Sequence, residues 1–113
     1  MSEAAVQAEV RLECARRGIL LWRNNSGVLP DDTGRPVRYG LGNDSKQANA
    51  VCKSADLIGI GPDGRFWALE VKAPGWHLTP GDKRGRAQLV FLNLVRSKGG
   101  VAAFVTCVED IPL

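Results

Sequence analysis

The sequence predicts an α/β fold, a central mixed β-sheet flanked by helices, in one compact domain over residues 1–113. Three observations predict this class. Apolar residues recur at helical spacing near both ends of the chain, two apolar runs flank a tight turn in the middle, and a further apolar run follows the second helix. A chain of 113 residues, 44% of them hydrophobic, suits a single modest core.

The first predicted elements are a helix and a short strand. Residues 3–17, EAAVQAEVRLECARR, have helical periodicity, and Gly18 directly after them is a common helix stop. Residues 19–22, ILLW, indicate a short strand, in which we expect Trp22 to pack in the core.

Residues 24–53 contain most of the turn-forming residues, and we expect a long loop there, with at most a brief strand near RPVRYG. A loop of this length in a small domain is usually either functional or disordered. A substrate-facing role and a solvated insertion are both open. The basic residues that would face a substrate are Arg35, Arg38, Lys46 and Lys53.

A β-hairpin is predicted around the run GPDGR, whose Pro, Asp and Gly have the order typical of a type I turn followed by a glycine bulge. If Gly61 pairs with Arg65 across this turn, Asp56 and Glu70 lie directly opposite each other on the flanking strands. Side chains alternate along a strand, so Lys72 projects to the same side as Glu70. Two carboxylates and one ammonium group are therefore expected at one spot.

Two carboxylates at this separation repel each other and raise each other's pKa unless a proton or a cation neutralises them. Mg²⁺ prefers carboxylate and carbonyl oxygens, and Asp56, Glu70 and the backbone carbonyl of Val71 supply such a set. Lys72 would then lie beside a metal-bound water. The alternative is an exposed acid pair in which Lys72 forms an ordinary ion pair. Apolar residues on both faces of the two strands favour a central hairpin instead.

The second helix is predicted to begin at LTPGD, with Thr79 as N-cap, Pro80 as the first helical residue and Asp82 in a capping-box position. It is expected to run to about Lys98, where two glycines follow. Residues 101–107, VAAFVTC, indicate a further strand of the same sheet.

Two more polar side chains are expected to point inwards, one on each helix. Val6, Val10 and Cys14 form an apolar stripe that includes Glu3, although the helix dipole by itself also favours a glutamate in a first turn. Gln88 shares the buried face of the second helix and needs hydrogen-bond partners there. These partners are either loop carbonyls or a group at the acid cluster.

The formal net charge of +3 and the sequence pI near 9.0 favour a polyanionic partner, but only weakly. Because the sequence shows neither a long apolar run nor a basic, apolar leader, we expect no membrane association and a cytoplasmic location. The cysteines are odd in number and lack a histidine cluster, which indicates reduced structural thiols at Cys14, Cys52 and Cys107.

An inward Glu on a first helix, an Asp before an apolar hairpin, the tripeptide EVK and a Gln on the next helix resemble the PD-(D/E)XK nuclease superfamily. The closer resemblance is to its virus-type replication-repair branch, VRR-NUC, and it covers nearly the whole chain. One departure is Ala55, where this branch usually has a proline that shapes the backbone and binds no metal. A second is the stretch NDSKQANAVCK, which is longer than expected.

The resemblance implies that Asp56 and Glu70 bind Mg²⁺, or Mn²⁺ as a substitute, and that no small-molecule cofactor is needed. Glu3 would complete the site or bind a second ion. Lys72 would orient the attacking water and help to deprotonate it, and Gln88 would position that water or the phosphate.

The resemblance also implies a dimeric DNA endonuclease, of phage or bacterial origin, that hydrolyses phosphodiester bonds in branched DNA such as Holliday junctions. Phosphate contacts are expected from the long loop and from the basic residues Lys83, Arg84 and Arg86. Two alternatives stay open: a catalytically inactive nucleic-acid-binding module with the nuclease fold, and a sequence-specific restriction-type endonuclease.

Overall fold

The computed structural model describes residues 1–113 and contains a mixed central sheet, a separate two-stranded sheet and three α-helices. This is the α/β class that the sequence predicts. In chain order the elements are α1 (Glu3–Arg16), β1 (Leu20–Arg23), β2 (Gly27–Pro30), β3 (Pro36–Tyr39), α2 (Lys46–Val51), β4 (Leu57–Ile60), β5 (Phe66–Val71), α3 (Lys83–Ser97), β6 (Val101–Val105) and a 3-10 helix (Val108–Asp110).

The central sheet has the strand order β1-β4-β5-β6. β4 pairs antiparallel with both β1 and β5, whereas β6 pairs parallel with β5. Antiparallel neighbours can be joined by a tight turn, as β4 and β5 are, but a parallel pair needs a crossover. The crossover between β5 and β6 contains α3, which explains why the sheet is mixed.

The two faces of the sheet pack on different helices, because side chains alternate along each strand. On one face, Leu69 and Val71 of β5 belong to a core cluster with residues of α1. On the other face, Ala68 of β5 packs with Leu92 of α3. Glu70 has the same parity as Ala68, so its side chain lies on the face that α3 covers.

The predicted hairpin register is confirmed. Leu57 lies opposite Leu69, as the pairing of Gly61 with Arg65 requires. The Gly61 N–H donates to the Arg65 carbonyl at 2.9 Å, and Gly64 has the positive φ of 86° that a glycine bulge needs.

The predicted long loop over residues 24–53 is wrong, apart from its brief strand near RPVRYG, which is β3. β2 and β3 pair antiparallel as a separate two-stranded sheet, called the ribbon here (residues 27–39), and α2 follows it. The turn-forming residues that suggested a loop make the ends of these short elements. The Asp31 carboxylate accepts the Thr33 and Arg35 N–H groups in the ribbon turn, and Ser45 caps α2.

α3 begins later than predicted, with Asp82 instead of Thr79 as its N-cap. The Asp82 carboxylate accepts the Gly85 N–H at 2.8 Å. The preceding Pro80 and Gly81 form a turn, in which the Asp82 N–H donates to the Thr79 carbonyl. The aspartate therefore caps the helix, and the proline lies outside it.

Trp22 does not pack in the core, as the sequence had suggested, but is 53% exposed. It lies on β1 opposite Ile58, on the face of the sheet that α3 covers. The core cluster on that face draws its strand residues from β5 and β6, so α3 leaves this end of the sheet open.

No helix combines the length and the apolar composition that crossing a bilayer requires. Three residues are free thiols: Cys14, Cys52 and Cys107. Cys14 lies on the buried side of α1 and belongs to the core.

Candidate functional site

A polar cavity of about 620 Å³ opens between the central sheet and the ribbon. The sheet and α3 contribute Asp56, Glu70 and Gln88 to its wall. The opposite wall comes from the ribbon and the segments around it. Only two of the 15 lining residues are hydrophobic, so the cavity suits a charged or polar ligand.

The acid pair forms as the hairpin register predicts. Asp56 directly precedes β4, and its carboxylate accepts the Val71 N–H at 3.1 Å, which anchors it beside β5. The Asp56 carboxylate also lies within hydrogen-bonding reach of the Glu70 carboxyl. Both carboxyl groups therefore lie together at one wall of the cavity.

Glu70 is the more deeply buried acid, with 3% of its surface exposed. Its pKa is raised to about 9. The main cause is burial, which disfavours the charged form. The nearby Asp56 carboxylate adds to the rise, because it hydrogen-bonds to the protonated Glu70 carboxyl and repels the ionised one. The positive charges of Lys72 and Arg84 oppose this increase. Without a cation, Glu70 thus keeps its proton at neutral pH.

The donor set beside the acids fits a hard divalent cation. Gln88 is 3% exposed, and its Oε1 atom has no hydrogen-bond partner. This buried oxygen can therefore accept a hydrogen bond or bind a cation. The Val71 N–H faces Asp56, and the N–H and C=O of a strand residue point to the same side, so the Val71 carbonyl is directed there too. No group of three or more His, Cys, Asp or Glu side chains that could hold a metal ion is present, so a cation here would have two carboxylate ligands and would need water for the rest of its coordination.

Lys72 lies on the same side of the chain as Glu70, as predicted, but it does not line the cavity. Its positive charge offsets part of the rise in the pKa of the Glu70 carboxyl. The Nζ atom lies 5.1 Å from the ring centroid of Trp76, a cation–π distance. The ammonium group therefore has an aromatic partner next to the acid pair.

Glu3 does not join the acids, and its predicted inward position is wrong. The apolar stripe of α1 is buried as expected, but Glu3 in the first turn is exposed and does not line the cavity. The physical reason is the layer order: α1 packs on the face of the sheet opposite to the one that carries Glu70. A shared helix face is thus no evidence of a shared site.

The predicted basic residues divide into two groups. Arg38, Lys53 and Arg84 line the cavity. The remaining four do not line it, and all of them are exposed: Arg35, Lys46, Lys83 and Arg86. Positive charge inside the cavity therefore comes from the ribbon, from the segment before β4 and from the start of α3.

Two asparagines that line the cavity and hydrogen-bond to the segments around it were missed from the sequence. Asn24 donates from its amide to the Ser54 hydroxyl at 2.8 Å and to the Ala55 carbonyl at 2.9 Å, next to the acid pair. Asn43 is the one fully buried residue of 24–53, at 3% exposed. Both stand in turn-rich runs, where asparagine is common, so no local pattern distinguishes them.

Comparison of the chain with protein-family models, with curated proteins and with solved structures gives no match.

Proposed function

We propose that this protein is a metal-dependent DNA endonuclease with a PD-(D/E)XK core, similar to VRR-NUC domains. One observation carries the proposal: Asp56 and Glu70 lie side by side in a polar cavity, next to a buried Gln88 whose oxygen has no partner. A mixed sheet flanked by helices is the fold class that such a core requires.

The acids supply the metal site. Mg²⁺ or Mn²⁺, when bound, lowers the pKa of a water and offsets negative charge on the phosphate. Glu70 must lose its proton before it can bind a cation, since its pKa is raised to about 9. Asp56 is held in place by the Val71 N–H. The buried pair thereby couples metal binding to proton release.

The other polar groups act on the water and the phosphate. The unpartnered Gln88 oxygen accepts a hydrogen bond from the attacking water and orients it. Lys72 stabilises negative charge next to Glu70, and its contact with Trp76 holds the ammonium group there. Arg84 and Lys53, on the cavity wall, bind phosphates that flank the scissile one.

The proposed substrate is branched DNA, such as a Holliday junction, and the proposed assembly is a homodimer. A two-fold junction presents equivalent strands, and each chain carries one acid pair. β1 is the proposed dimer surface, because it is an edge strand of the central sheet. It exposes the apolar side chains of Leu20 and Trp22 next to the exposed Ile60 of β4. An open apolar edge can pair with a second copy of itself.

Light scattering after size exclusion tests the dimer. We expect twice the chain mass at micromolar concentration for the wild type and a single chain mass for Trp22→Lys. Asn93→Lys, at an exposed position on α3, is the matched control and should stay dimeric. A wild-type monomer at this concentration would remove the dimer from the proposal.

A binding module without catalysis is the second candidate function. Two observations favour it: Glu3 lies outside the cavity, and the Lys72 ammonium group contacts Trp76 instead of a carboxylate. Such a module would still bind nucleic acid through the basic residues of the cavity.

A cleavage assay separates these functions. Labelled junction, flap, single-stranded and linear duplex DNA are incubated with the wild type, with Lys72→Ala and with Glu9→Gln, in Mg²⁺ or in EDTA. We expect cleavage of branched DNA by the wild type and by Glu9→Gln, whose exposed carboxylate lies on α1, and none in EDTA. Intact binding without any cleavage would favour the binding module. Cutting of linear duplex at one sequence would favour a restriction-type enzyme.

A further inference from the structure

An aromatic side chain of the ribbon lies in the same cavity as the acid pair. Tyr39 ends β3, lines the cavity with Asp56 and Glu70, and is 42% exposed. A large aromatic ring that is neither packed in a core nor paired with another ring has a free π-face. The aromatic pair of the structure is Trp76 with Phe104, so Tyr39 is free to take a flat ligand.

The Tyr39 ring lies across Gly27, its partner in the ribbon register. A Cβ atom at Gly27 would come within 2.6 Å of the Tyr39 hydroxyl oxygen and within 2.9 Å of Cζ, closer than real contacts allow. Glycine is therefore required for the ring to lie against the backbone there. The hydroxyl end of the ring thus lies against the Gly27 backbone, and 42% of the residue stays exposed.

The backbone under this ring is held by Asn43. The buried Asn43 amide donates to the Gly27 and Tyr39 carbonyls, both at 2.9 Å. Arg38 beside them donates to the Asn43 side-chain oxygen at 2.6 Å and to its backbone carbonyl at 3.1 Å. An aromatic ring and a guanidinium group are thus fixed at the cavity before any ligand binds, which lowers the entropy lost on binding.

The cavity limits what can stack on this ring. Its volume of about 620 Å³ is in the range of sites that bind a small molecule or a nucleotide. A base inside a continuous duplex has both faces covered by neighbouring base pairs, so it offers no face to the ring. The acids lie on the opposite wall. A strand whose phosphate reaches Asp56 and Glu70 can place an adjacent base on Tyr39 only if that base is unpaired.

We propose that Tyr39, supported by Gly27, is a stacking platform for one unpaired base next to the scissile phosphate. The substrate is then DNA with unpaired nucleotides at the point of cleavage, as at a flap or at a branch point where a base pair has opened, and not continuous duplex. Stacking on an aromatic ring tolerates any base, so this selectivity concerns DNA structure and not sequence. The platform rests on the proposed function, because it places the base in the same cavity as the proposed metal-binding acids.

The test measures DNA binding without cleavage, by fluorescence anisotropy in EDTA with labelled single-stranded and duplex oligonucleotides of equal length. Tyr39→Ala should weaken single-strand binding by roughly 5-fold to 150-fold, the range of one base stack, and change duplex binding less than twofold. Tyr39→Phe keeps the ring and should bind like the wild type. Val37→Ala is the matched control, since Val37 is an exposed ribbon residue that does not line the cavity.

Two further variants keep the test decisive if Tyr39→Ala unfolds. Tyr39→Leu keeps the apolar bulk without a π-face and should weaken single-strand binding as Tyr39→Ala does. Arg38→Ala should reduce the slope of log Kd against log salt by about one phosphate contact, whereas the Tyr39 variants leave that slope unchanged. A Tyr39→Leu protein that binds single strands like the wild type overturns the platform.

The experiments can contradict the stacking proposal and the nuclease proposal independently of each other. If the wild type cleaves branched DNA in Mg²⁺ but Tyr39→Ala binds single strands as tightly as the wild type does, the platform is wrong and the nuclease stands. If Tyr39→Ala loses single-strand affinity but the wild type cleaves nothing, Tyr39 is a base-stacking residue of a binding protein and the nuclease is wrong. If the wild type binds no DNA, both are wrong.

Discussion

The central sheet with α1 and α3 differs from the segment of residues 24–53 in what holds it together. The sheet is packed on both faces by apolar clusters, one beneath each of the two helices. In residues 24–53, Asn43 alone is fully buried, and the ribbon is fixed to its surroundings by side-chain hydrogen bonds. The cavity lies where these two regions meet.

The difference suggests that the two walls of the cavity have different roles. The packed sheet holds the acids, which in the proposed metal site must keep a separation that a shared cation can bridge. The polar segment supplies Arg38, Tyr39 and Lys53, and it has few apolar contacts to resist local opening. Changes in the sheet should therefore affect chemistry most, and changes in the ribbon should affect binding of the substrate most.

The largest expected effect is loss of cleavage when an acid of the sheet is neutralised. Asp56→Asn and Glu70→Gln should each cut branched DNA at least about 10³-fold more slowly than the wild type, because the proposed metal site would lose a charged ligand. Rates are measured in single-turnover assays at saturating Mg²⁺. Equal losses from Arg38→Ala would contradict the separation of chemistry from binding.

The second effect is a pH-dependent stability between about pH 4.5 and pH 9 that arises from Glu70 in the sheet. Glu70 has a raised pKa of about 9 in the folded protein, against about 4.5 when unfolded, so the folded state binds the extra proton between these values. Without metal, this contribution is complete below pH 4.5 and is lost as pH rises towards 9. The free energy of unfolding should therefore fall by about 1.4 kcal/mol per pH unit in this window.

Urea unfolding in EDTA at several pH values measures this slope. Glu70→Gln should lack it, since the amide does not titrate. Mg²⁺ should bind more tightly as pH rises, with release of a proton that calorimetry in buffers of different ionisation enthalpy detects. A flat profile for the wild type would show that Glu70 is ionised in the folded state.

The third effect is local, and it belongs to the ribbon. Asn43→Ala removes two donated hydrogen bonds and one accepted from Arg38, so the ribbon should open more easily by about 1–3 kcal/mol. Hydrogen exchange should accelerate in β2 and β3 and stay unchanged in β5. Asn93→Ala, at an exposed position on α3, serves as the control. Faster exchange in β5 as well would show that the two regions unfold together.

The smallest expected effect is an increase in the free energy of unfolding when Gln88, on the cavity wall, is replaced. Gln88→Leu replaces a buried amide whose oxygen has no partner by an apolar side chain of similar size, so unfolding should become harder by about 1 kcal/mol. Cleavage should fall roughly tenfold or more, because the water or phosphate loses a positioning group. Gln47→Leu, at an exposed position on α2, should change neither. A destabilised Gln88→Leu protein would show that the amide is satisfied in solution.

The sequence by itself determined the α/β class, the hairpin register and the inward position of Gln88. These follow from local rules: a Pro-Asp-Gly turn sets the pairing of the strands that it joins, and periodicity assigns each helix a buried face. The opposition of Asp56 and Glu70 is a direct consequence, because neither residue is more than nine positions from the turn glycine Gly61.

Periodicity identifies the buried face of a helix or strand, but it does not show which part of the molecule that face packs against. The tertiary structure decided this. Glu3 shares the apolar stripe of α1, but that stripe packs on the face of the sheet away from the acids. Asn43 stands among turn residues, and its burial depends on the ribbon that folds around it. Trp22 is exposed because α3 does not extend over β1. In each case the outcome depends on how separate elements pack together, and no local pattern encodes that packing.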